Sequence, residues 1–140
     1  MRSILRSIVA IVVGFVLASV VMMVVESING HLLYPEMGKL ARGTTDREAI
    51  RSLFASAPVG ALLVVVLGWG LGSLAGGFAA AWIGKRSPVL HALVVGGLLT
   101  LAGIATNLML PPPLWFWIAG LVVFLPAACA GARVAPRKAA

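Results

Sequence analysis

The chain has 140 residues, of which 61% are hydrophobic and only 11% charged, with a mean hydropathy of +1.06. A soluble domain carries about 25% charged residues, and a domain this small leaves too much surface open to hide so much apolar side chain, so lipid must be the solvent for most of it. The formal net charge of +7 does not indicate nucleic acid, because the basic residues stand singly or in short clusters between apolar runs and form no basic face.

The first span is expected over residues 8–33. Arg2 and Arg6 precede an uncharged apolar run from Ile8 to Val25. At about 1.5 Å per residue, that run just crosses a ~30 Å hydrocarbon core. A secretory signal would have a shorter apolar region ending in small residues. This run ends Met22-Met23-Val24-Val25-Glu26, so a retained helix is the better reading, continuing to about Leu33 before Tyr34-Pro35.

Residues 34–58 form the one long polar connection. Pro35, Gly38 and Gly43 predict an irregular first half. Thr45 with Glu48 fits a capping box, and Ile50, Leu53, Phe54 and Ala57 then fall on one helical face. A short amphipathic helix is expected here, either lying on the membrane surface or packed as a loop helix.

The second span is expected over residues 59–83, with Pro58 suited to its first turn. Lys85-Arg86-Ser87-Pro88 makes a tight basic turn. The third span covers residues 89–110, Pro111-Pro112-Pro113 ends it, and the fourth covers residues 114–132. The fold class is therefore all-α: one domain over residues 1–140, an integral membrane four-helix bundle with a short amphipathic helix in the first outer loop.

Four spans place both termini on one side. That side collects Arg2, Arg6, Lys85, Arg86, Arg133, Arg137 and Lys138, against Lys39, Arg42, Arg47 and Arg51 on the other. The positive-inside rule makes the first side cytoplasmic, in a bacterial inner membrane, where its basic residues meet anionic headgroups. Trp82, Trp115 and Trp117 fit aromatic belts, and Trp69 belongs nearer the membrane centre.

Gly68, Gly72, Gly76, Ala80 and Gly84 recur every fourth residue, a glycine-zipper stripe that lets another backbone approach closely in lipid. Smaller stripes occur at Ala10, Gly14 and Ala18, at Gly96, Thr100 and Gly103, and at Gly120, Ala127 and Gly131. The second span is the expected centre of the bundle. Its stripe faces either another span or a second copy of the chain. Ser73, within it, is expected to hydrogen-bond a neighbouring helix.

Near the outer ends of the spans the topology gathers Glu26, Asn29, His31 and Asn107. The functional reading is an outer polar pocket around Glu26; the plainer one is that Glu26 already meets water and Asn107 joins two helices. His91, near the basic turn, reads as an interface residue. Two distant histidines and the single Cys129 give no metal-ligand spacing. There is no phosphate-loop pattern, so no cofactor, no nucleic acid and no enzymatic activity are expected.

The segment Ala75-Gly76-Gly77-Phe78-Ala79-Ala80, followed by Lys85-Arg86-Ser87-Pro88 and then His91-Ala92 and Gly96, resembles a glycine-rich hairpin of small bacterial four-span membrane proteins of unknown function. The resemblance implies fold and compartment, and makes His91 and Gly96 family features. The function expected is that of a structural or accessory membrane component, self-associating or joined to a larger complex. The alternative is a small oligomeric transporter or ion-coupled carrier using Glu26.

Overall fold

In the computed structural model, residues 1–136 are described; Arg137 and Lys138, counted above among the basic residues, lie outside them, as does the side chain of Arg2. Helix α1 (Arg2–Ile28) runs on through one π turn (Asn29–Leu33). Then come α2 (Pro35–Arg42), α3 (Arg47–Ser56), α4 (Val59–Gly84), α5 (Pro88–Met109) and α6 (Leu114–Val134). The fold is an all-α four-helix bundle, and α1 with its π turn, α4, α5 and α6 are each long and apolar enough to cross a membrane.

The packing is inverted relative to a soluble bundle. Large aliphatics such as Val12, Val16, Leu63, Leu67, Leu101 and Val122 are exposed, while the interior is mostly alanine and glycine. Helices that already sit in an apolar solvent gain little by hiding aliphatic chains from it. They gain by bringing backbones together and multiplying van der Waals contact. The larger core side chains, Val95, Leu99 and Phe124, meet Ala18 and Ala80 where the four helices converge.

Helix α4 is central and packs against α1, α5 and α6. Gly68, Gly72, Gly76, Ala80 and Gly84 are all buried. A Cβ on Gly68 would meet Val25, one on Gly72 would lie 2.7 Å from the Ala18 carbonyl oxygen, and one on Gly76 2.5 Å from that of Gly14. The stripe from Gly68 to Ala80 is thus filled by α1 of the same chain, and Gly84 by the His91 ring. Another face of α4 meets α6 as closely: a Cβ on Gly77 would run into the Ala128 backbone, and one on Gly131 into the backbone of Leu74 and Phe78. Of the expected α6 stripe, Gly120 and Gly131 are buried, and only the middle member differs. Ala128 is buried and Ala127 only half-buried.

The connection over residues 34–58 holds two helices, not one. Its first half, expected to be irregular, is α2. Pro35 occupies the first turn, where its missing N–H costs nothing. Glu36 lies in the first turn, Lys39 and Arg42 in the last, and Lys39 Nζ donates to Glu36 Oε1 at 2.8 Å. Gly38 is not a helix breaker here. It lies against the Gly30 backbone, where any Cβ would collide. Helix α3 starts one residue later than expected: Asp46, not Thr45, is the N-cap, and its Oδ2 accepts from the Ala49 N–H at 3.0 Å. Ile50, Leu53, Phe54 and Ala57 are the half-buried face of α3, as the periodicity predicts. Together α2 and α3 form a strap across one end of the bundle.

At the other end, Arg6 Nε donates to the Ile83 carbonyl at 2.7 Å, placing a cation on the C-terminus of α4. Lys85 then turns the chain with φ 42°, and the Arg86 N–H returns to the Gly84 carbonyl at 2.5 Å. A β-carbon in this left-handed γ-turn is strained by about 1–2 kcal/mol. Lys85→Gly is therefore expected to raise stability by about 1 kcal/mol, read as a later midpoint in denaturing-detergent titration. Lys85→Ala removes the same charge but keeps the β-carbon, and should gain nothing.

Candidate functional site

Helix α1 does not end at Glu26. Its last turn widens at Asn29–Leu33, where the Tyr34 N–H bonds the Asn29 carbonyl at 2.8 Å, five residues back. Such a π turn inserts one residue and rotates the face that follows. Here it turns Asn29 inward, to 5% exposure, and its Nδ2 donates to the Ala61 carbonyl of α4 at 3.0 Å. The Asn29 Oδ1 is buried with no hydrogen-bond partner among the described residues. Tyr34 ends the turn, and its hydroxyl lies against Gly60.

Beneath the strap is a cavity of about 500 Å³. All four residues expected in the polar cluster border it: Glu26, Asn29, His31 and Asn107. They do not form one hydrogen-bonded network. His31 is exposed, and its Nδ1 pairs with the Ser27 carbonyl at 2.9 Å, one turn back. Asn107 is buried and makes no side-chain hydrogen bond among the described residues, so it is not the helix-joining contact of the plainer reading. Glu26 is exposed, and its Oε1 accepts from Trp69 Nε1 at 3.3 Å.

Trp69 is the residue that the sequence left out of the cluster. A partly buried indole needs an acceptor for its N–H. Glu26 is the one acidic residue of α1, so the pairing could have been found once the Gly68 and Gly72 contacts set α4 alongside α1. The Trp69 ring also fixes α6. Its centroid lies 4.9 Å from that of Phe116 and 5.6 Å from that of Phe124, and Gly120 leaves room for it. Phe54 brings α3 onto the same cluster, 5.9 Å from Phe116. Arg47 adds a tether, its Nη2 lying 3.3 Å from the Leu108 carbonyl oxygen at the end of α5. Arg42 of α2 borders the cavity too, with Nη1 3.5 Å from the Gly30 carbonyl oxygen.

The remaining polar side chains lie elsewhere. His91 is buried, with its ring against Gly84 and Nδ1 2.7 Å from the Ser87 carbonyl oxygen, which explains its place in the turn without chemistry. Ser73 is fully buried, but its Oγ has no hydrogen-bond partner among the described residues, so the expected interhelical bond is not made. No three His, Cys, Asp or Glu side chains among the described residues converge to hold a metal ion.

The cavity is thus a mostly apolar chamber with a few convergent polar groups, the usual make-up of a small-molecule site. Compared with known proteins, the chain matches no family model, no curated protein and no solved structure.

Proposed function

We propose that this is a non-enzymatic, multi-pass component of a bacterial cytoplasmic membrane that holds an amphipathic molecule beneath its strap. Both termini lie on the cytoplasmic side in this reading, and the strap on the outer side. Arg6, Lys85, Arg86 and Arg133 then meet anionic headgroups at the opposite face. The observation that carries the proposal is the cavity itself, large enough for part of a lipid-sized molecule, apolar in its walls and polar around Glu26. Its role is accessory: to present or retain that molecule for a partner or a second copy of the chain. Assembly would use the exposed aliphatic faces, because the long glycine stripe is occupied within the chain.

Native mass spectrometry of protein purified in mild detergent tests this directly. The wild type is expected to retain a bound amphiphile. Thr106→Trp, which projects bulk into the cavity from an exposed position, is expected to lose it. Equal retention by both would overturn the proposal.

One observation favours the transporter reading as well: a carboxylate, Glu26, borders a cavity at the end of a spanning helix. If the chain carries ions as an oligomer, Glu26→Gln abolishes a proton-coupled flux in vesicles while expression holds. The accessory role predicts no flux from either form.

A further inference from the structure

We infer that the cavity beneath the strap is a site for a zwitterionic ammonium–phosphate head, with the ammonium at Glu26 and the phosphate at Arg42. This rests on reading the cavity as an amphiphile site and specifies its ligand. Glu26 and Arg42 border the same chamber, yet neither is ion-paired; the one ion pair among the described residues is Lys39–Glu36. Two opposite charges placed on one mostly apolar cavity are complementary to a ligand carrying both signs.

The two charges stand at different depths. Arg42 reaches the Gly30 carbonyl, and Gly30 lies four residues beyond Glu26, about 6 Å along the helix. A phosphate and an ammonium joined by two carbons fit that stagger, the ammonium deeper and the phosphate under the strap. At the deeper level, the aromatic side chains of Trp69 and Phe116 line the chamber beside the carboxylate, a favourable setting for a cation. The amide of Asn107, on the wall of the same chamber, supplies an acceptor for an ammonium N–H group. Leu62 and Val65 line the wall beyond them, where glycerol and the first methylenes of an acyl chain would lie. The same head could come from a membrane aminophospholipid or from a free, water-soluble ethanolamine phosphodiester.

The experiment is native mass spectrometry of the full chain in detergent, titrated with phosphatidylethanolamine, phosphatidylglycerol or diacylglycerol of identical chains. Phosphatidylethanolamine is expected to bind at least about tenfold more tightly than either, the size of effect that hydrogen bonds to charged groups give. Glu26→Gln should erase its advantage over phosphatidylglycerol. Arg42→Gln should weaken both phospholipids and leave diacylglycerol unchanged. The wild-type comparison stands by itself if a variant loses helicity. Glycerophosphoethanolamine added as competitor separates the sources: displacement of the lipid supports the site with the head alone as ligand, and no displacement supports it with the chains required. Equal binding of the three lipids would overturn the headgroup assignment while the amphiphile reading survives. No saturable binding of any of them would overturn both.

Discussion

Gly77→Leu is expected to break the close contact between α4 and α6, at a cost of about 3 kcal/mol, the upper end for overfilled interiors. The Cβ alone would run into the Ala128 backbone. A backbone cannot rotate away as a side chain can, so α4 and α6 would have to separate. Lipid would then fill the gap at little cost, since no apolar surface meets water when such helices part. Gly72→Leu should cost less, about 1–2 kcal/mol, because two of the three nearest atoms belong to the Met22 side chain, which can yield, and the single backbone atom in the way, the Ala18 carbonyl oxygen at 2.7 Å, compares with three from the Ala128 backbone at Gly77. At Gly97 a new Cβ would meet nothing within 4 Å, and Gly97→Leu should be neutral or gain up to about 0.8 kcal/mol from helix propensity. Denaturing-detergent titration followed by circular dichroism reads all three, and the predicted order of loss is Gly77, Gly72, Gly97.

Trp69→Ala is expected to cost about 3 kcal/mol and to detach the strap. Truncating a packed aromatic to alanine typically costs about 3–5 kcal/mol, and this ring is only half-buried, which favours the lower end. The ring joins α4 to Phe116 and Phe124 of α6, and through Phe116 to Phe54 of α3. Its loss removes the ring that backs Phe116, on which Phe54 of α3 rests. Trp69→Phe keeps a ring but drops the N–H bonded to Glu26, and should cost about 1 kcal/mol with the strap in place. Amide exchange over residues 47–56 distinguishes the two: fast in Trp69→Ala, near wild type in Trp69→Phe.

The spans were legible because a membrane dictates length and hydropathy. Residues 59–83, 89–110 and 114–132 fall within two residues of the ends of α4, α5 and α6. The spacing from Gly68 to Ala80 was legible for a similar reason: only small side chains permit the approach to Gly14 and Ala18, so the pattern is visible before the partner is known. The cluster of Glu26, Asn29, His31 and Asn107 followed from topology alone, since antiparallel spans of similar length bring those positions to one end.

What escaped the sequence depends on tertiary contact. Gly38 reads as a breaker, and only the Gly30 backbone beside it shows that it serves a close approach within a helix. Thr45 and Asp46 are both good caps, and it is the Asp46 carboxylate that accepts from the Ala49 N–H. The π turn is set by the inward anchoring of Asn29 at Ala61, a contact with no local signature. Arg42 could not be placed at the cavity while residues 34–43 were expected to be irregular. Trp69 looked like a centre-of-membrane aromatic because its partner Glu26 lies 43 positions away in sequence.

The central claim is a mostly apolar cavity with a few polar groups, reached by water beneath a strap, at one end of a bundle whose outer faces meet lipid. Cysteine accessibility tests it most directly. In a Cys129→Ser background, Met23→Cys and Thr106→Cys place thiols on the cavity wall, while Val20→Cys and Leu101→Cys place them on exposed aliphatic positions. In permeabilised membranes, a charged, water-soluble maleimide should label the first two and leave the second two unmodified. Protection of all four, or labelling of Val20→Cys and Leu101→Cys as fast as the cavity pair, would contradict the account.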